Sequence, residues 1–205
     1  MKIIMLKKNP AIYTCNAYLI LGSWNRLEDV NTLVDVGQDG YIINEIDSIS
    51  TGLGKRPVEL VVFTHNHFDH AAGLKAIKEK YNPLIYAYNK FDGVDFTLTD
   101  GQVLGIGDNF FEVIHVPGHS DDSIMLYCRR EKIIFSGDTS LNIRSNDATY
   151  SDKFISIIER LSRLEINVIY PGHDESIIYE AHKTIVQTYN NIRKKTELLK
   201  SESRS

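Results

Sequence analysis

Short apolar runs bounded by turn residues fill the first third of the chain. KIIMLK (2–7), AYLILG (17–22) and NTLVDVG (31–37) read as three strands. Ile42, Ile43, Ile46 and Ile49 then recur at helical spacing, so a helix is expected near Gly40 to Ser50. VELVVF (58–63) is an uninterrupted apolar run, the mark of a strand buried on both faces. GLKAIKEKY (73–81) reads as a helix. PLIYAY, NFFEVIHV, SIMLYC and KIIFSG extend the strands to about residue 137. DKFISIIERLSRL (152–164) reads as an amphipathic helix and NVIYPG (167–172) as one more strand. A final helix is expected from about 175 to 199, with Ile178, Ala181, Ile185, Tyr189 and Ile192 on one face. Strand runs mixed with a few helices predict two sheets packed together and covered by helices, an αββα sandwich.

Composition narrows the setting. The chain has 205 residues, 42% of them hydrophobic, enough for a sizeable core in one domain spanning 1–205. There is no low-complexity segment, internal repeat or obvious linker. The net charge of −4 is too mild and of the wrong sign for general nucleic-acid binding. Only the tail is basic, through Arg193, Lys194, Lys195, Lys200 and Arg204, and it reads as a solvated helix face. Cys15 and Cys128 form no disulfide framework or CxxC site and read as buried free thiols, which suits a reducing compartment. The first residues, MKIIMLKKNP, break into charge and proline too early for a secretion signal. No apolar run approaches the roughly 20 residues of a membrane span. A soluble cytoplasmic protein without membrane or nucleic-acid partners is expected.

The chemistry gathers at strand ends. THNHFDHAAG (64–73) holds three histidines and an aspartate within six positions, in a chain with 7 histidines. VVF runs into His65, His67, Asp69 and His70; EVIHVPG into His119; KIIFSG into Asp138; NVIYPG into His173; TLV into Asp35. Loops at strand ends, held by a rigid sheet, commonly display functional groups. A lone His119 or His173 would be an ordinary hydrogen-bonded loop histidine, and Asp138 after Gly137 a turn residue. The cluster at 65–70 changes this, because three neighbouring imidazoles cannot all be protonated without repulsion. Neutral imidazole and carboxylate are natural metal ligands. In an extended chain His65 and His67 point the same way. Asp69 and His70 follow where the chain turns into a helix and can face a second point, so one loop could feed two adjacent ions. His119, Asp138 and His173 would complete the ligand sets.

THNHFDH resembles the HxHxDH signature of the metallo-β-lactamase superfamily, in its glyoxalase II-like branch. The later motifs follow in order: PGHS with His119, SGDT with Asp138 and PGHD with His173. The resemblance runs from TLVDVG to YPGHDES. It implies the α+β, four-layer αββα sandwich of two mixed β-sheets, with two divalent ions, zinc first and iron or manganese as alternatives. His65, His67 and His119 would bind the first ion; Asp69, His70 and His173 the second; Asp138 would bridge them. Asp35 would orient a ligand from behind by a hydrogen bond. Two departures stand out. Ala72 occupies the first glycine position of DHxGG, and PGHSDDS (117–123) stands where PGHTPGS is usual. Asp121 and Asp122 at the rim would disfavour anionic ligands; otherwise they form a plain Asp-rich turn.

The same resemblance implies a hydrolase of small ester, thioester or lactone-type substrates, using a hydroxide held between the ions. Asp69 and His70 would carry catalysis, Asp69 also accepting a proton from the nucleophile. Arg144 and Tyr179 are candidate substrate contacts. A mononuclear-iron persulfide dioxygenase of the same superfamily is the alternative, because it shares these motifs. A non-catalytic metal-bearing sensor is the third reading. Flavodiiron oxidoreductases fit less well: they carry a glutamate at the position of His67.

Overall fold

The computed structural model describes residues 1–144 and 149–202, with side chains described through Lys194. The basic side chains expected at Lys195, Lys200 and Arg204 therefore lie outside the described residues. The elements run β1 (Lys2–Met5), β2 (Tyr18–Leu21), β3 (Thr32–Val34), α1 (Ile43–Ser48), β4 (Leu60–Val62), α2 (Phe68–Ala71), α3 (Leu74–Tyr81), β5 (Leu84–Ala87), β6 (Phe96–Thr97), β7 (Val103–Ile106), β8 (Asn109–His115), β9 (Ile124–Cys128), β10 (Ile133–Gly137), α4 (Asp152–Ser162), β11 (Val168–Pro171) and α5 (Ala181–Glu202).

The strands form two mixed sheets, ordered β1-β2-β3-β4-β5-β6 and β11-β10-β9-β8-β7. In the first, β3 pairs parallel with β4 and β4 with β5, with an antiparallel meander of β1 to β3 on one side. In the second, only β10 and β11 run parallel. Side chains alternate across each strand, so fully apolar strands feed two cores at once. Tyr18 and Ile20 of β2 and Val62 of β4 point into the space between the sheets, where they meet Phe111, Leu126 and Phe135. Leu19, Leu33, Val61 and Phe63 point the other way, onto Ile46 of α1 and Ile77 of α3. On the far side, Ile114, Met125 and Ile134 pack against Ile158 and Leu161 of α4 and Ile185 and Ile192 of α5. Three apolar layers between four layers of structure are the αββα sandwich the strand pattern predicts. Ser151 caps α4, its hydroxyl accepting from the Phe154 N–H.

The last helix begins later than its periodicity suggests. Asp174 and Glu180 have φ of 64° and 56°, a left-handed conformation that no helix sustains. Between them Ile177 makes a two-way backbone bridge to Ile169 of β11. Ile178, expected on the helix face, is therefore outside the helix and exposed, whereas Ala181, Ile185 and Ile192 are buried and Tyr189 packs against them. The one-turn helix α2 and the strands β6 and β7 carry too little periodic signal to be read from sequence. Both cysteines are free and buried. No described helix is long and apolar enough to cross a membrane.

Candidate metal centre

Every one of the strand-end groups comes to a common edge of the sandwich. Asp35 follows β3, the 64–70 loop follows β4, His119 follows β8, Asp138 follows β10 and His173 follows β11. Two ligand groups result: His65, His67 and His119; and Asp69, His70, Asp138 and His173, with donor atoms in each group within 4.8 Å of one another. His119 Nε2 and His67 Nδ1 are 2.9 Å apart. His173 Nε2 and Asp69 Oδ2 are 3.0 Å apart. Asp138 stands between the groups. Its Oδ2 lies 3.8 Å from His65 Nε2, 3.5 Å from His119 Nε2 and 3.5 Å from His173 Nε2, and its Oδ1 3.1 Å from His70 Nε2.

This donor set fits cations by a structural test. His65 Nε2, His70 Nε2 and Asp138 Oδ1 are buried without a hydrogen-bond partner; His70 and Asp138 are close, but not aligned for a hydrogen bond. A buried polar atom left unpaired costs about 1–3 kcal/mol, and three of them converging from the segments after β4 and β10 is what a metal site requires. The protonation pattern agrees. Burial opposes charge on His70, yet the Asp35 and Asp138 carboxylates hold its pKa well above the usual range. Burial pushes His65 down to about 4, helped by the charge on His70, and also lowers His119. His173 is raised by the nearby Asp138 carboxylate. Asp138 is held far below the carboxylate range: burial opposes this, but the close approach of His173 and His70 prevails. Without a metal, two carboxylates thus draw a proton onto His70, a positive charge that a bound ion would replace.

The hydrogen bonds behind the ligands fix which nitrogens face inward. Asp35 is buried, and its Oδ1 accepts from the Thr64 N–H at 2.8 Å. Its Oδ2 accepts from Thr64 Oγ1 at 2.8 Å and from His70 Nδ1 at 2.9 Å. A carboxylate only accepts, so His70 carries its proton on Nδ1 and turns Nε2 inward. Thr64 has one hydroxyl proton, spent on Asp35. Its oxygen therefore accepts from His65 Nδ1, 3.1 Å away, and His65 too turns Nε2 inward. One carboxylate sets the tautomers of a ligand in each group.

Sequence reasoning missed several contributors. The Thr64 hydroxyl has no signal in sequence beyond its place before His65. The segment 14–16 clamps two ligand loops: Cys15 N–H donates to Asp69 O, and Asn16 donates to Gly172 O, Pro171 O and Asp174 O. Tyr13 stacks on His173 at 4.9 Å, its hydroxyl 3.3 Å from His173 Nε2. Gly172 leaves room for the ligands, since a Cβ there would lie 2.2 Å from Asp138 Oδ1. Gly137 supplies a φ of 52° beside Asp138.

Two cavities open onto His119 and Asp138. One, of about 690 Å³, is walled by Lys8, Tyr13, His173 and Ser140. The other, of about 530 Å³, is walled by Ile143, Tyr150 and Phe154. Arg144 and Tyr179 line neither: Arg144 is exposed and bonds Asn142, and Tyr179 is exposed. Asp121 and Asp122 also line neither. Asp122 is buried inside the turn instead, so the expected pair of carboxylates at the rim is not what forms. Ala72 lies at the end of α2, where it borders a third cavity of about 660 Å³ that includes none of the seven ligands.

The family model described as the metallo-beta-lactamase superfamily matches residues 12–94 and 86–173. A hydroxyacylglutathione hydrolase of Francisella tularensis subsp. tularensis (strain WY96-3418) is 31% identical over 129 residues, which are 58% of this chain and 51% of that protein. A probable hydroxyacylglutathione hydrolase of Schizosaccharomyces pombe is 35% identical over 124 residues, 57% of this chain and 48% of that protein. The chain thus spans about half the length of these curated relatives. Among solved structures, ETHE1 from Myxococcus xanthus has a TM-score of 0.70 at 20% identity, covering 94% of this chain and 88% of that one. A metallo-beta-lactamase family protein from Thermus thermophilus has a TM-score of 0.68 at 18% identity, covering 96% and 81%.

Proposed function

The chain belongs to the metallo-beta-lactamase superfamily, and from that premise we propose that it is a two-metal hydrolase of a small thioester, with esters and lactones as related substrates. The observation that carries this reading is Asp138, set between two ligand groups whose buried donor atoms lack partners. His65, His67 and His119 would hold one divalent ion, and Asp69, His70 and His173 the other, with Asp138 shared. Zinc is the ion we expect. Bound ions supply Lewis acidity, which lowers the pKa of a water from 15.7 to about 7 and polarises the acyl oxygen.

The chain's own residues supply the rest. Asp35 and Thr64 hold a proton on Nδ1 of His70 and His65, so that Nε2 is the nitrogen each neutral ring offers to an ion. The Asp69 carboxylate accepts a proton from the attacking water. Attack at the acyl carbon breaks the carbon–sulfur bond; the products are an acid and a thiol. The two cavities that share His119 and Asp138 in their walls suit a substrate with two arms flanking the scissile bond. Lys8 in the larger cavity suits an arm bearing a carboxylate. The relatives named as hydroxyacylglutathione hydrolases support a thioester, since acylglutathiones are thioesters. A single 1–205 domain and a cytoplasmic setting belong to the same proposal; the two free cysteines support the latter.

The test is thiol release from a panel of acylglutathione and other thioesters, run beside ester and lactone panels, with zinc-loaded and metal-free protein. Metal-dependent release is expected. No hydrolysis of any panel by the loaded protein above the metal-free rate would overturn the reading.

A further inference from the structure

The segment PGHSDDS departs from the usual PGHTPGS at Asp121 and Asp122, and the two aspartates part company in the fold. Asp121 is exposed, and its carbonyl accepts from His115 Nε2 at 2.8 Å. Asp122 is buried, and both of its carboxylate oxygens are occupied. Oδ1 accepts from Ser120 Oγ at 2.7 Å, within the turn that carries His119. Oδ2 crosses to a different loop and accepts from the Asn66 N–H at 3.0 Å. Asn66 sits between His65 and His67. One carboxylate therefore joins the backbone of two ligands to the turn of the third.

The turn itself is closed on its own account. Ser123 Oγ accepts from the Ser120 N–H at 3.1 Å and lies 2.7 Å from Ser120 Oγ, and the Val116 N–H donates to Ser123 O at 2.8 Å. The strand contact Ile124 N–H to Thr64 O, 2.8 Å, aligns the two segments at their base. Asp122 is the tie beyond it, at the level of the ligands. His67 and His119, both exposed, face each other from those two loops. Asp35 and Thr64 reach His65 but not His67.

We propose that Asp122 is a positioning residue for the first metal position, holding His119 in register with His65 and His67 through the Asn66 N–H. This inference rests on the metal-centre reading above. Partners that orient metal ligands typically change affinity by about 10–100-fold, and that is the effect expected here. Its carboxylate touches no substrate cavity, so its contribution is to ligand spacing rather than to substrate recognition.

The experiment uses Asp122→Ala and Asp122→Asn in the full chain, titrated with cobalt(II) and followed by the cobalt absorption bands and by the number of ions bound. In Asp122→Asn the amide oxygen still takes the Asn66 N–H. The amide nitrogen donates to Ser120 Oγ, whose proton turns to Ser123. Asp122→Ala should weaken one of the two ions about 10–100-fold and alter its bands, and Asp122→Asn should restore both. Equal binding by wild type and Asp122→Ala overturns the proposal, and so does an Asp122→Asn as weak as the alanine variant, since charge rather than position would then matter. Should Asp122→Ala fail to fold, Ser120→Ala, which frees Oδ1, carries the test: weaker binding supports the proposal and unchanged binding overturns it. A wild type that takes up no cobalt would instead refute the metal-centre reading itself.

Discussion

Asp35→Asn isolates the claim that one carboxylate sets the tautomers of two ligands. The substitution changes a single oxygen to an amide nitrogen. Asp35 has a φ of 56°, which asparagine tolerates much as aspartate does, so the backbone is not the variable. Asp35 accepts three hydrogen bonds, two of them on Oδ2. With the amide nitrogen at the Oδ2 position, His70 Nδ1 must accept. The Thr64 hydroxyl turns to His65, whose Nδ1 must then accept as well, and in both neutral rings the proton sits on the inward Nε2, where it blocks a metal. With the nitrogen at the Oδ1 position, two donors, the amide and the Thr64 N–H, face each other in a buried place. The cost of that unpaired donor is about 1–3 kcal/mol, or roughly fivefold to 150-fold in an equilibrium constant. Metal binding must meet this cost in the variant and not in the wild type. Competition for zinc against a chromogenic chelator at neutral pH measures it. Affinity within a factor of about two of wild type at both positions would refute the tautomer argument, because either amide orientation spoils one of the bonds on which it rests.

Three further outcomes follow from the same geometry. Asp138→Ala should weaken or empty both positions, as Asp138 is the group near donors of each; full metal content by elemental analysis would show that it does not bridge. Gly172→Ala should lose bound metal and destabilise the fold by about 1–3 kcal/mol through overpacking, since its Cβ would fall 2.2 Å from Asp138 Oδ1 and 2.7 Å from His70 Cε1; urea unfolding and metal content check this, and wild-type values would contradict it. In metal-free protein, His65 is depressed from 6.5 to about 4. The unfolded chain therefore binds the extra proton between those values, and stability falls as pH drops through that window, by on the order of 3 kcal/mol from this group. Urea midpoints from pH 7 to pH 4 should show a shallower loss in His65→Gln, and an unchanged slope would refute the assignment.

Much of this is legible in the chain because the cues are local. β2, β4 and β9 are short apolar runs whose alternate residues serve two cores, and such runs announce buried strands. The seven candidate ligands lie next to strand ends, where a residue type and a turn suffice to mark them. The missing parts are long-range or depend on backbone shape. β7 has Gly105 in its middle and β6 is two residues long, so neither shows a period. α5 loses its expected first turn to Ile177, which doubles back on Ile169 of the preceding strand across the left-handed Asp174, a backbone shape that residue types do not announce. Tyr13 meets His173 across 160 positions, and nothing around Tyr13 in the sequence signals that stacking. Asp122 is visible as an oddity of the motif, but its partner, a backbone N–H between two histidines, is a property of the fold. Arg144 and Tyr179 stand near candidate ligand loops in the sequence, but neither is among the residues that line the two cavities.

The most direct test of the account is the metal content of the purified protein, by elemental analysis, as identity and ions per chain. About two ions per chain, zinc foremost, is the expected result, and it matches two donor groups that share Asp138. A single iron per chain would contradict the two-metal hydrolase and favour the dioxygenase chemistry that the same motifs allow, and a protein that holds no metal after incubation with zinc would contradict the metal centre altogether.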